Sequence, residues 1–190
     1  MKSKDVHRMD KRLATLTKEL IEQIDYLCDG MAGGMLNANQ FQAEMARTLL
    51  EHHIASYYVG AKSRELNAAA WETIRAHVEP QIDRLNNFAD VIDDEGWRDA
   101  HRSRAHLYAG SLKATYSAGR NVGWALPVHP GDGGTECNNG CLCSWRVDVI
   151  DAEELDADAY WIRHADDSCR GCLERQAAYS PYRIRGGLPA

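Results

Sequence analysis

The chain has no apolar run long enough to cross a bilayer, which excludes an integral helical membrane protein. It shows no signal-peptide core and no small-residue cleavage site behind its basic start, "MKSKDVHRMDKRLATL", so an intracellular product is expected. An excess of positive charge is also missing. The formal charge is -6, which argues against wholesale wrapping of nucleic acid and leaves room only for a local basic patch. There is no G-x-x-x-x-G-K phosphate loop, no dinucleotide fingerprint and no H-E-x-x-H order. Cysteine is almost absent from the first two thirds, where Cys28 stands alone. Cys137, Cys141, Cys143, Cys169 and Cys172 then crowd into the last third, and that contrast is what the sequence asks to have explained.

What fills the first two thirds is helix pattern. From Asp5, Leu13, Leu16, Leu20, Ile24 and Leu27 recur at spacings of three and four and make one apolar stripe. The glycines of "DGMAGGML" should end it. Asn37 and Gln40 have the spacing of a capping box and start a second helix, with Phe41, Met45 and Leu49 on one side and Gly60 as its stop. A third covers Asn67 to about Ile92, with a kink or a fresh start expected at Pro80. A fourth, with a weaker stripe, covers Gly96 to Ser117. Four amphipathic helices should pack as a bundle or as paired hairpins.

The habit changes near residue 123. Prolines and glycines in "RNVGWALPVHPGDGG" break helix, and "HPGDGG" reads as a turn that brings the chain toward the cysteines. Trp145, Val147 and Val149 alternate with Arg146 and Asp148, which predicts a half-exposed strand, and "DAYWIRH" is its candidate partner. The acidic link "DAEELDADA" belongs in solvent, and residues 126–190 carry most of the net negative charge. The expectation is a mainly α protein. A helical assembly domain spans 1–122, and a small α+β cysteine-rich module with a β-hairpin spans 123–190.

Cys169 and Cys172 form a C-x-x-C knuckle in which Gly171 eases the turn, and two thiolates at that spacing can chelate one zinc ion. Two of Cys137, Cys141 and Cys143 would complete a four-sulfur shell once the hairpin brings the groups together. That gives one structural Zn2+ held by four of five cysteines, and such a shell scaffolds and leaves no position for a substrate. His129 keeps a Cys3His set open. Two other readings stand beside it: thiols that simply fill a small core, and a redox C-x-x-C, which wants a helix start after a parallel-sheet strand. Cys28, among Ile24, Leu27 and Met31, reads as core.

Other motifs point to no catalysis, and no enzyme is expected. "HADDSCRGC" is superficially similar to the zinc deaminase signature. However, Asp166 replaces the glutamate, no proline precedes the knuckle, and Cys169 follows His164 by only five positions. In "EHHIAS", His52 and His53 are adjacent and should not face the same way, one packing and one wet. Arg98, Arg102 and Arg104 share much of one helix face. They can contact phosphate without base specificity or pair with Asp93, Asp94, Asp99 or a partner's acids. Tyr57, Tyr58, Trp71, Trp97 and Tyr108 supply aromatic anchors for an assembly surface, some of which must pack internally.

Several stretches taken together resemble bacteriophage and prophage minor head proteins of the head-morphogenesis type. They are "FQAEMARTLLEHHIASYYVGA", "RLNNFADVI", "RSRAHLYAGSLKATYSAG", "LPVHPGDGGTECNNGCLCSW" and "SCRGCLERQAAYSPY", from about Phe41 to Tyr182. The resemblance implies a virion structural component near the portal or inside the head, assembled in the bacterial host cytoplasm. It would be one of several copies in a symmetric particle and act in head assembly. It implies the portal or major capsid protein as partner and leaves room for local contact with phage DNA; no membrane partner is expected, since no apolar run spans a bilayer. Its matched functional residues are Cys137, Cys141, Cys143, Cys169 and Cys172, and it implies no catalytic residue. A nucleic-acid-binding adaptor in DNA packaging or delivery is the alternative.

Overall fold

The computed structural model describes residues 11–164 and 168–190. The expected helix start at Asp5 and the acid Asp166 lie outside the described residues. Helix α1 (Lys11–Ala32) buries Leu13, Leu20, Ile24 and Leu27, with Cys28 in the core as its neighbours predicted. It runs further than expected, through Asp29, Gly30 and Met31. Gly30 serves packing here: a Cβ on it would lie 2.8 Å from Leu36 Cδ1. The chain turns only at Gly33 and Gly34, where the Met35 amide donates to the Gly30 carbonyl at 2.8 Å.

Helix α2 (Ala38–Ala61) opens on the predicted capping box. The Gln40 amide donates to the Asn37 side chain at 2.9 Å, and the Asn37 amide donates to the Gln40 side chain at 3.0 Å. Gly60 does not stop it. The left-handed residue is Lys62, φ 54°, and Gly60 is buried inside the helix. Helix α3 (Ala68–Glu95) runs through Pro80 without restarting. Pro80 is exposed, so its ring faces solvent while Val78 and Gln81 stay buried.

The expected fourth helix is three pieces: α4 (Asp99–His106), a 3-10 segment (Leu107–Ser111) and α5 (Leu112–Arg120). The tighter winding has a local cause. Ser111 Oγ donates to the Tyr108 carbonyl at 2.6 Å, and Ser56 Oγ of α2 donates to the Leu112 carbonyl at 2.7 Å. Both histidines of "EHHIAS" are buried, which corrects the expectation that one is wet. His52 Nδ1 lies 2.9 Å from the Thr48 carbonyl. His53 sits between the hydroxyls of Thr115 (2.6 Å) and Ser111 (3.0 Å). Burial, then the neighbouring His77 and His52, pushes its pKa down to about 3.

Phe41 and Phe88 meet edge to face at 6.2 Å in the core that α1, α2, α3 and the Ala105–Leu112 stretch share. Tyr57 and Tyr108 are buried too, and Trp97 packs on Phe41, so these three are packing groups and not free anchors. The basic face is likewise engaged. Arg102 pairs with Asp25 at 2.8 Å and with Asp29, Arg98 pairs with Glu95 at 3.0 Å, and Arg104 lies 4.6 Å over the Phe88 ring. The acids it uses on α1 are far away in sequence, so Asp93, Asp94 and Asp99 are not its partners.

The last third carries an antiparallel sheet in the order β1 (Ser144–Asp151), β2 (Asp156–Ile162), β3 (Tyr182–Arg185) and β4 (Leu188–Pro189). The predicted hairpin is present, with Trp145 opposite Trp161, but β2 begins inside the stretch expected as a solvent link, at Asp156, and buries Ala157 and Ala159. Helix α6 (Arg170–Ala178), β3 and β4 were not predicted. Two short strands give little periodicity to read, and tertiary contacts fix them: Ile184 is fully buried, and Arg185 pairs with Asp158 at 3.2 Å. Trp145, Trp161, Ala159 and Ile184 form a second core that also contains Cys141, Cys143 and Cys172. No helix among the described residues is long and apolar enough to cross a membrane.

Candidate metal centre

Two backbone devices aim the sulfurs. The first is a 3-10 turn, Asn138–Gly140. The Asn138 amide donates to the Thr135 carbonyl at 2.8 Å, and the Gly140 amide donates to the Cys137 carbonyl at 3.0 Å. It folds Cys141 back toward Cys137. Cys143, two residues on, immediately precedes β1. The second device is the start of α6. Cys169 occupies its N-cap position, and the Cys172 amide donates to the Cys169 carbonyl at 3.1 Å. The Gly171 amide donates to Glu136 Oε2 at 2.9 Å, which ties the two cysteine segments together. Three donors hold the Glu136 carboxyl below its usual range: its own amide, the Gly171 amide and the Cys169 thiol.

"HPGDGG" is the turn the sequence suggested. Asp132 Oδ1 accepts from the Gly134 amide at 2.9 Å and from Arg175 of α6 at 3.0 Å, and that ion pair is largely buried. Arg175 also lies 5.3 Å over the Trp161 ring. The loop is thereby pinned to the helix that carries Cys172.

All five cysteines of the last third converge, and their thiols are free. Sγ of Cys172 is 3.7 Å from Cys137 and 3.7 Å from Cys141, and Cys169 is 3.6 Å from Cys137. Four sulfurs about 2.3 Å from one ion stand about 3.8 Å apart along a tetrahedron's edges, so this spacing can accommodate a metal ion. The sulfurs fall into two trios, Cys137–Cys169–Cys172 and Cys141–Cys143–Cys172, each with all its atoms within 4.8 Å of one another. Cys172 belongs to both. A four-sulfur set would therefore combine the two trios through the shared residue. Burial, first of all, pushes the Cys172 thiol up. A hydrogen bond between Cys141 and Cys143 raises the first and lowers the second.

His129 does not join the thiols, which corrects its place as a candidate ligand. Its ring meets that of His77 on α3 at 5.4 Å, and its Nδ1 is buried with no hydrogen-bond partner. Burial, then His77, drops its pKa to about 4. The redox reading is half met: a helix does start at the C-x-x-C, but behind an antiparallel strand and with three more thiols packed around it.

Lys113 was not foreseen. It comes from α5, and its Nζ donates to the Cys141 carbonyl. Burial holds its pKa below the ordinary lysine value, and Cys141, Cys143, Cys137 and Cys172 act in the opposite direction. Among the described residues no carboxylate pairs with it. Lys113 is part-buried, and the polar group it meets is the peptide of a candidate ligand. A sequence signal existed, because Lys113 is the only lysine after Lys62. The described cluster can hold a metal ion through Cys137, Cys141, Cys143, Cys169 and Cys172. Compared with known proteins, the chain matches no family model, no curated protein and no solved structure.

Proposed function

We propose that the chain is a non-enzymatic structural component of a phage head, a minor head protein at or near the portal, in which one Zn2+ pins the cysteine-rich part. The observation that carries this reading is the convergence of Cys137, Cys141 and Cys143 with Cys169 and Cys172. Those are the residues on which the resemblance to head-morphogenesis proteins is densest. Zinc suits the donors because it takes four thiolates without redox chemistry and without a geometric preference of its own. When bound, it would cross-link two segments that otherwise share a small core.

The helical part supplies the mechanical body, and the portal or major capsid protein is the partner this reading requires. Closed rotational symmetry would follow from a portal-bound position. The adaptor reading has less to draw on, since Arg98, Arg102 and Arg104 are engaged within the chain. The test is mass spectrometry of purified particles, with cross-linking to find the neighbour. Presence in the particle and cross-links to portal or capsid protein support the proposal. A chain that is absent from particles and ignores both proteins removes it. Tight DNA binding by the isolated chain at physiological salt would favour the adaptor instead.

A further inference from the structure

Lys113 stands on the helical body, yet the carbonyl it donates to, that of Cys141, belongs to the cysteine-rich part. The 3-10 segment Leu107–Ser111, just before α5, touches the turn Asn138–Gly140 between Cys137 and Cys141. The ammonium therefore sits where the two parts of the chain meet. We infer that Lys113 is a positioning residue of the metal centre, whose ammonium balances the thiolate charge, so that metal binding and docking onto the helices are coupled. This rests on the metal reading of the cysteines given above.

A divalent ion with four thiolates carries a net charge of about -2. Such a centre, half enclosed by Trp145, Trp161 and Ile184, is costly to bury without a cation beside it. Lys113 supplies that cation without being a ligand. It donates to the carbonyl of Cys141, so it orients the peptide next to a candidate ligand as well as offsetting the charge. With the metal removed, nothing fixes the Cys141 peptide that Lys113 orients. The metal-free state should therefore release Lys113 to water and loosen the contact between α5 and the 137–141 turn.

Two measurements on the whole chain test this coupling. The first is zinc affinity, by competition with a chromogenic chelator, for wild type, Lys113→Met and Lys113→Arg. Lys113→Met should bind zinc roughly tenfold or more weakly, and Lys113→Arg should recover most of the loss because it restores the charge. Helical circular dichroism reports whether each variant is folded. The second needs no variant: amine acetylation of wild type, read by mass spectrometry, with and without zinc. Lys113 should be protected in the zinc form and labelled after chelation, while exposed Lys18 and Lys62 react equally in both. Wild-type zinc affinity in Lys113→Met, or labelling of Lys113 that does not change on chelation, overturns the inference and leaves the zinc site standing. A wild-type protein that binds no zinc overturns the zinc reading first, and the coupling with it.

Discussion

Gly60 of α2 and Gly119 of α5 occupy a helix contact with no room for a side chain on either. A Cβ on Gly60 would lie 2.2 Å from the Tyr116 carbonyl oxygen, and one on Gly119 would lie 2.5 Å from that of Tyr57. The obstacles are backbone, so they cannot rotate away. Gly60→Ala or Gly119→Ala should destabilise the helical part by roughly 1–3 kcal/mol, although alanine is the better helix former by about 1 kcal/mol. Urea unfolding followed by circular dichroism checks this. A neutral or stabilising substitution at both sites would mean that the helices do not approach so closely.

That contact also shows where sequence reading succeeds and fails. The capping box of Asn37 and Gln40 was legible because both partners lie within four residues. The β1–β2 hairpin was legible from alternation, and the C-x-x-C from spacing. Gly60 was misread because a helix stop and a packing glycine look alike until the opposing helix is known. Arg102 was misassigned for the same reason, since Asp25 and Asp29 lie on another helix. His129 had the right chemistry for a ligand and the wrong location, against His77.

His129 makes stability depend on pH with a predictable sign. Its folded pKa, about 4, lies below the unfolded value of about 6.5. The unfolded chain therefore binds the proton first. The histidine's contribution is complete above pH 6.5 and is lost as the pH falls toward 4, with a slope of up to about 1.4 kcal/mol per pH unit. Its surroundings oppose each other, Asp132 favouring the proton and Arg175 disfavouring it. Denaturation between pH 7 and pH 5 should show a shallower decline for His129→Asn than for wild type. Identical slopes would place the acid sensitivity elsewhere.

The two sulfur trios rank the cysteines. Cys172 is common to both, so Cys172→Ser should abolish tight metal binding and unfold the cysteine-rich part while leaving the helical signal largely intact. Cys169→Ser should do the same. Structural zinc contributes about 10–16 kcal/mol of apparent binding free energy in small zinc domains, and a module of this size cannot spare it. Among Cys137, Cys141 and Cys143, one replacement should be much milder, because four places do not need five thiols. Equal loss for all three, measured as zinc bound per chain, would require a different ligand set.

The central claim is that the five converging cysteines hold one structural zinc ion. Elemental analysis of the purified full-length protein, prepared without chelator, tests it most directly. The account predicts about one equivalent of zinc per chain, retained through dialysis and released when the thiols are titrated. A metal-free protein, folded as before and with all five thiols of the last third freely titratable, would contradict it.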